Sequence, residues 1–184
     1  MQNKSTQLSK FNNTWYQPEA SVFKRVLWFV ISACFFKSSC PFNGLKIFFL
    51  KIFGAKIGNG VVIKPAVNIK YPWKLSIGNF VWIGENVWID NLANVTIKDN
   101  VCISQGAMLL TGNHNYKKET FDLMIGEILL EEGVWIGAKS VVCPNVTCYS
   151  HAVLSVGSVA VQNLEAYHIY QGNPAIKVKE RIIE

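Results

Sequence analysis

The chain has 184 residues, half of them hydrophobic and 16% charged, with a net charge of +6. That balance excludes intrinsic disorder, and five cysteines with no CxxC pair exclude a small disulfide scaffold. The excess of cations favours an anionic partner, a phosphate group or a membrane surface, over nucleic acid, because the Lys and Arg residues form no dense cluster.

The first twenty residues lack a basic region that leads into an apolar core and a cleavage site, so no secretory signal is expected. With unpaired cysteines, this points to the cytoplasm, with a peripheral place at the inner face of the membrane as an extension of that reading. Two helices are then predicted. Residues 19–37 follow Pro18, and residues 45–53 close at Gly54, with Ser38, Ser39, Cys40 and Pro41 breaking the pattern between them. The longest apolar stretch, 26–36, falls short of the roughly 20 residues that a membrane span needs. Lys24, Arg25, Lys37, Lys46 and Lys51 punctuate both helices. Residues 1–53 therefore read either as a helical cap or as a membrane-surface anchor whose cations meet anionic headgroups.

From residue 54 to the C-terminus the pattern changes to a period of six. It runs through Ile57, Ile63 and Ile69, restarts at Ile77 and again at Ile97, and resumes from Leu130 to Ala160. Thirteen of these fifteen positions are Ile, Leu or Val, and a small or β-branched residue follows four places after most of them. Six is neither the helical period nor simple alternation. It suits a short strand and a tight corner, three to a coil, stacked about 4.8 Å apart as a parallel β-helix, an all-β solenoid. The restarts add two residues at one corner of each early coil. At the same corner, the interval from Leu109 to Leu130 leaves a long inserted loop, residues 111–128. A single long loop in a regular solenoid is expected to be functional.

The repeat Leu/Ile/Val-Gly-x-x-Val/Ala/Ser-x resembles that of the hexapeptide-repeat acyltransferases over residues 57–177. TGNHNY is similar to their His-bearing extended loop, EEGVWIGAKSVVCPNVT to the coil after it, and YQGNPAIKVKERI to their closing turn and terminal basic helix. FGAKIGNGVVIKPAVNIKYPWKLSIGN resembles the colanic-acid-type exopolysaccharide O-acetyltransferases. The resemblance implies a left-handed parallel β-helix with an N-terminal helical segment and a short C-terminal helix in the 163–184 tail. It also implies a homotrimer, with acetyl-CoA as co-substrate between neighbouring prisms, a sugar or glycan acceptor, and no metal. The left hand comes from the resemblance alone, since crossovers are otherwise right-handed.

An acetyl transfer to a sugar hydroxyl needs a base, and imidazole titrates near neutrality. His114, in the loop, is the expected base, with Asn113 and Tyr116 beside it at the acceptor. His151 and His168 read as surface turn residues. Asp90 or Asn91 sits at the corner where the family holds its acceptor, although both are also ordinary corner residues. Backbone donors around Gly137 and Ala138 are expected at the thioester oxyanion. An outward Trp135 suits either the pantetheine arm or trimer packing. Val156, Gly157 and Lys177 complete the expected cofactor contacts, Lys177 through the coenzyme phosphates. Val161-Gln162 stands where the family usually has Thr-Lys. A zinc hydratase on the same prism would need two His close in sequence, which the chain lacks. A non-catalytic scaffold, or an acetyltransferase acting on an amino sugar or small amino acid, are the alternatives.

Overall fold

The computed structural model describes residues 5–184; residues 1–4 of the N-terminal extension lie outside the described residues. From Lys56 to Ala160 the chain winds through strands of two or three residues, too short to stand alone and stable only because each coil pairs with the next. Three parallel faces result. The first stacks Lys56–Ile57, Leu75–Ile77, Val95–Ile97, Ile128–Leu130 and Thr147–Cys148. The second stacks Val62–Ile63, Trp82–Ile83, Cys102–Ile103, Trp135–Ile136, Val153–Leu154 and His168–Gly172. The third stacks Asn68–Ile69, Trp88–Asp90, Met108–Leu110, Val141–Val142 and Val159–Ala160.

The register places like on like. Ile63, Ile83, Ile103, Ile136, Leu154 and Tyr170 form one inward column. Every inward position of the six-residue period except Ile57 is buried, and so is the second set, from Val61 to Ser158. Burial of each aliphatic side chain contributes roughly 1.5–3 kcal/mol, so the columns are the main source of stability.

The corners differ from expectation in composition. Phe80, Lys139 and His151 sit at positive φ, where Gly, Asn and Asp are the usual residues, alongside the more ordinary Asn100. Each donates its backbone N–H to a corner carbonyl of the preceding coil: Phe80 to Asn59, Asn100 to Asn79, Lys139 to Gln105, His151 to Glu132. The left-handed conformation aims the N–H along the stack, and that bond offsets the side-chain strain. Gly137 has a different reason. A Cβ there would lie 2.6 Å from the Val156 nitrogen of the next coil.

The first N-terminal helix, α1 (Val22–Ile31), is shorter than predicted and is extended by a π-helical turn, Ser32–Phe36, while the second, α2 (Asn43–Ile52), starts two residues earlier and ends one residue earlier than predicted. Ser21 caps α1 by accepting from the Lys24 N–H. The helices close the first coil with polar groups. Asn43 mimics a strand, donating to the Val61 carbonyl at 2.9 Å and accepting from the Ile63 N–H at 2.8 Å. Lys46 is fully buried and donates to the Lys64 carbonyl at 2.8 Å; burial holds its ammonium below the ordinary pKa. Trp28 donates its indole N–H to the Ile69 carbonyl. Each bond fills a backbone group that the end of a β-helix leaves open. Helices and prism share one continuous core.

At the other end the expected C-terminal helix is corrected. Ala175–Glu180 is a strand, antiparallel to His168–Gly172, after a turn with a cis Asn173–Pro174 bond. The second face offered an unpaired edge there, and an Ile-Lys-Val-Lys alternation fits a strand as readily as a helix turn. Among the described residues no helix is long and apolar enough to cross a membrane.

Candidate active site

The long loop leaves the corner between the third and first faces, above the two-residue bulges of the earlier coils. Its arms, Gly112–His114 and Leu123–Ile125, pair as an antiparallel hairpin. The hairpin fixes His114 opposite Leu123, and the chain returns so that Phe121 lies against the imidazole. The two rings stack at 4.4 Å between centroids with 5° between planes. The Phe121 carbonyl, 2.9 Å from His114 Nδ1, accepts a hydrogen bond from it. A carbonyl only accepts, so in the neutral ring Nδ1 carries the proton and Nε2 the lone pair. No group among the described residues engages Nε2.

The opposite side of His114 meets Phe11, at 5.6 Å between ring centroids. Residues 7–19 run along the same prism edge. The Gln7 N–H donates to the Glu119 carbonyl, and Lys10 pairs with Glu119 at 2.9 Å. Further down, the Tyr16 hydroxyl donates to the Leu92 carbonyl and Trp73 donates to the Pro18 carbonyl. Burial pushes the Tyr16 phenol far above its ordinary pKa, so the bond persists across the pH range in which enzymes are assayed. The inserted loop is thus strapped by the N-terminal segment.

Of the predicted acceptor residues, Asn113 and Tyr116 are exposed beside His114, and Asn113 Oδ1 accepts the His114 backbone N–H. Asp90 lies one corner below and pairs with Lys70 at 2.8 Å. Asn91 is corrected. It is fully buried, accepts from the Tyr71 N–H at 2.9 Å and donates to the Tyr71 carbonyl at 2.6 Å. Its amide holds the bulge of the coil below, and its complete burial keeps it out of reach of a sugar.

The predicted cofactor residues gather elsewhere. Trp135, Gly137, Ala138 and Val156 line one groove of about 570 Å³ on the second face and its corner with the third, together with Ser104 and Lys179. Trp135 is half-exposed and donates its indole N–H to Ser104 Oγ at 2.9 Å, which fixes the ring along the groove. The Gly137 N–H is consumed by the Leu154 carbonyl at 2.7 Å. Among the described residues no acceptor takes the Ala138 N–H. Gly157 forms the next corner, at φ 66°. Lys177 does not line the groove. It pairs with Glu165 at 2.9 Å, and that bond holds its ammonium above the ordinary pKa. Lys179, two residues on and one strand period away, takes the place at the groove. Burial pushes the Cys102 and Cys143 thiols up, away from thiolate chemistry. His151 and His168 each donate from Nδ1 to a local carbonyl, Glu132 and Ala166, His151 at a corner and His168 at the start of the last parallel strand.

No residue of the 111–128 loop lines the groove. Within one chain the imidazole and the groove occupy different edges of the prism. Sequence reasoning missed Phe11, Phe121, Ser104 and Lys179. Only the alternation of 175–180, read as a strand, would have pointed to Lys179 over Lys177.

The chain is 35% identical over 163 residues to WcaF of Escherichia coli K12, whose name ascribes to it acetyl transfer in colanic acid biosynthesis; the match covers 88% of this chain and 90% of that one. It is 27% identical over 129 residues to the galactoside O-acetyltransferase of the same organism, covering 68% of this chain and 64% of that one. Among solved structures, a hexapeptide-repeat acetyltransferase from Vibrio cholerae superposes with a TM-score of 0.78 at 20% identity, over 86% of this chain and 90% of that one. A galactoside acetyltransferase in complex with coenzyme A gives 0.76 at 24% identity, over 86% and 80%. No family model matches the chain. A left-handed β-helix of this register, matched along nearly its whole length by WcaF, places the chain in the family of hexapeptide-repeat acetyltransferases.

Proposed function

We propose that the protein moves an acetyl group from acetyl-CoA to a sugar hydroxyl in the synthesis of an exopolysaccharide or surface glycan, with His114 as general base. The observation that carries the reading is the bond from His114 Nδ1 to the Phe121 carbonyl, which selects the neutral tautomer with its lone pair on Nε2. In the proposed reaction Nε2 takes the hydroxyl proton as the oxygen attacks the thioester carbonyl carbon. The resulting oxyanion receives the Ala138 N–H. Collapse breaks the carbon–sulfur bond, and the imidazolium returns its proton to the departing thiolate. Trp135 flanks the pantetheine arm, Val156 and Gly157 border it, and Lys179 meets the phosphates at the open end of the groove. Asn113, Tyr116 and Asp90 are the acceptor-side candidates.

The separation of His114 from the groove supports a homotrimer. A neighbouring prism set edge to edge brings the loop of one subunit over the groove of the next, so that each site draws on two chains. Five free cysteines suit the reducing cytoplasm. The galactoside O-acetyltransferase relationship favours a hydroxyl over an amine as acceptor.

The test is acetyl-CoA consumption against a panel of sugars, beside thermal shifts with acetyl-CoA, for wild type and His114→Ala. Both proteins are expected to be stabilised by acetyl-CoA, and only wild type to turn over. His114→Ala turning over at the wild-type rate removes the base assignment. No shift in either protein removes the cofactor groove.

A further inference from the structure

The first third of the chain carries a charge and surface pattern that acetyl transfer does not call on. From Ala20 to Gly84 there are nine Lys and Arg residues and not one Asp or Glu; the remainder holds nine cations against twelve anions. This strongly positive end of the molecule also bears its most apolar surface. Of the ten residues of α1 only Trp28 is buried. Phe23 is 77% exposed and Phe29 67%, with Val22, Val26 and Val30 exposed beside them. Val22, Val26, Phe29 and Val30 recur at helical spacing, so one broad face of α1 is greasy and uncovered.

A second feature lies next to this face. A cleft of about 290 Å³ opens between α1 and the third face, lined by Arg25, Phe29, Ser32, Lys37, Lys70 and Asp90, among others. Arg25 Nε, Ser32 Oγ and Asp90 Oδ1 are buried there with no hydrogen-bond partner of good geometry among the described residues, Asp90 Oδ1 having only its ion pair with Lys70. Lys37 lies 5.9 Å over the Phe29 ring and pairs with no carboxylate among the described residues. The only acidic group in the cleft, Asp90, is taken by Lys70. Stranded buried donors beside unpaired cations call for an anion, because a buried donor left unmade is costly.

We infer that α1 docks on the surface of an anionic phospholipid bilayer, its apolar face in the acyl boundary and one lipid phosphate seated between Arg25 and Ser32. Ten helical residues suit lying in the interface rather than spanning it. Charge decides between this occupant and a second copy of the same face, since two such ends would oppose nine cations with nine. The inference rests on charge, exposure and the cleft, and stands apart from the acetyltransferase reading.

The experiment is co-sedimentation of the full chain with vesicles of phosphatidylcholine alone and of equal parts phosphatidylcholine and phosphatidylglycerol. Wild type is expected to sediment with the anionic vesicles and not with the neutral ones, and to bind less in high salt, where the screening length shrinks to about 3 Å at 1 M. Phe23→Asp/Phe29→Asp is expected to lower the partition roughly tenfold per ring or more. Arg25→Gln is expected to lower it roughly fivefold. Circular dichroism and the melting curve confirm that the variants fold. Should the double aspartate variant not fold, Phe23→Ser, at the most exposed site, replaces it. Absence of binding to anionic vesicles, equal binding to neutral ones, or unchanged binding by the variants overturns the inference. So does a fall in molar mass by light scattering for the double variant, which would make this face a contact between copies.

Discussion

Asn91→Ala separates a structural role from a substrate-binding one. The Asn91 amide makes two bonds to Tyr71, at 2.9 and 2.6 Å, from a fully buried position. Each is worth about 0.5–1.5 kcal/mol net, and stranding a buried partner costs about 1–3 kcal/mol. Tyr71 is half-buried, so water recovers part of that cost, and the substitution should destabilise by about 2–4 kcal/mol in all. For a chain of this size each kcal/mol moves Tm by about 2–4 °C, which gives a fall of about 4–16 °C. Calorimetry at matched protein concentration reads this directly, with the acceptor KM measured on the folded fraction in parallel. Asn91→Asp keeps an acceptor for the Tyr71 N–H but sets a carboxylate against the Tyr71 carbonyl, so its Tm should fall as well. A Tm within about 2 °C of wild type, joined to a raised acceptor KM, would refute the reasoning and return Asn91 to the acceptor site.

Two further predictions follow from the strap and the corners. Phe11→Ala removes the ring on one side of His114 without touching the groove. It should lower kcat by up to about 10²-fold and leave acetyl-CoA affinity unchanged, since a small misplacement of a catalytic group is expensive; an unaltered kcat shows that the hairpin and Phe121 suffice. Asp99 accepts from the Asn79 side chain and the Asn79 backbone N–H, and these bonds hold its carboxyl below the ordinary value of 3.8. A carboxyl depressed in the folded state stabilises above its unfolded pKa and loses that contribution as pH falls through the folded one. Wild-type Tm should therefore drop on acidification below pH 3.8 more steeply than that of Asp99→Asn, and parallel curves would remove Asp99 from the account.

The period of six was sufficient to name nearly every inward residue, to set the coil length and to put the long loop on one edge. Those features depend only on which way a side chain points at each step, and strand alternation settles that locally. His114 was legible for a related reason, as an imidazole in the one long interruption of the repeat. Trp135, Gly137, Ala138 and Val156 were legible as a group because stacked coils bring residues at equal phase to the same groove.

Other features depended on which backbone groups remained open once the coils had stacked. Asn91 turned inward because the bulge at Tyr71 needed both halves of an amide. Lys46 and Asn43 were drawn onto the first coil, and the tail onto the last, because the ends of the prism still had unpaired carbonyls and N–H groups. Phe11 reached His114 from the far end of the chain because the N-terminal strap follows the edge from which the loop departs. Periodicity assigns each residue a direction; closing the hydrogen bonds of the finished prism assigns partners across long separations in the chain, and only the tertiary structure contains them.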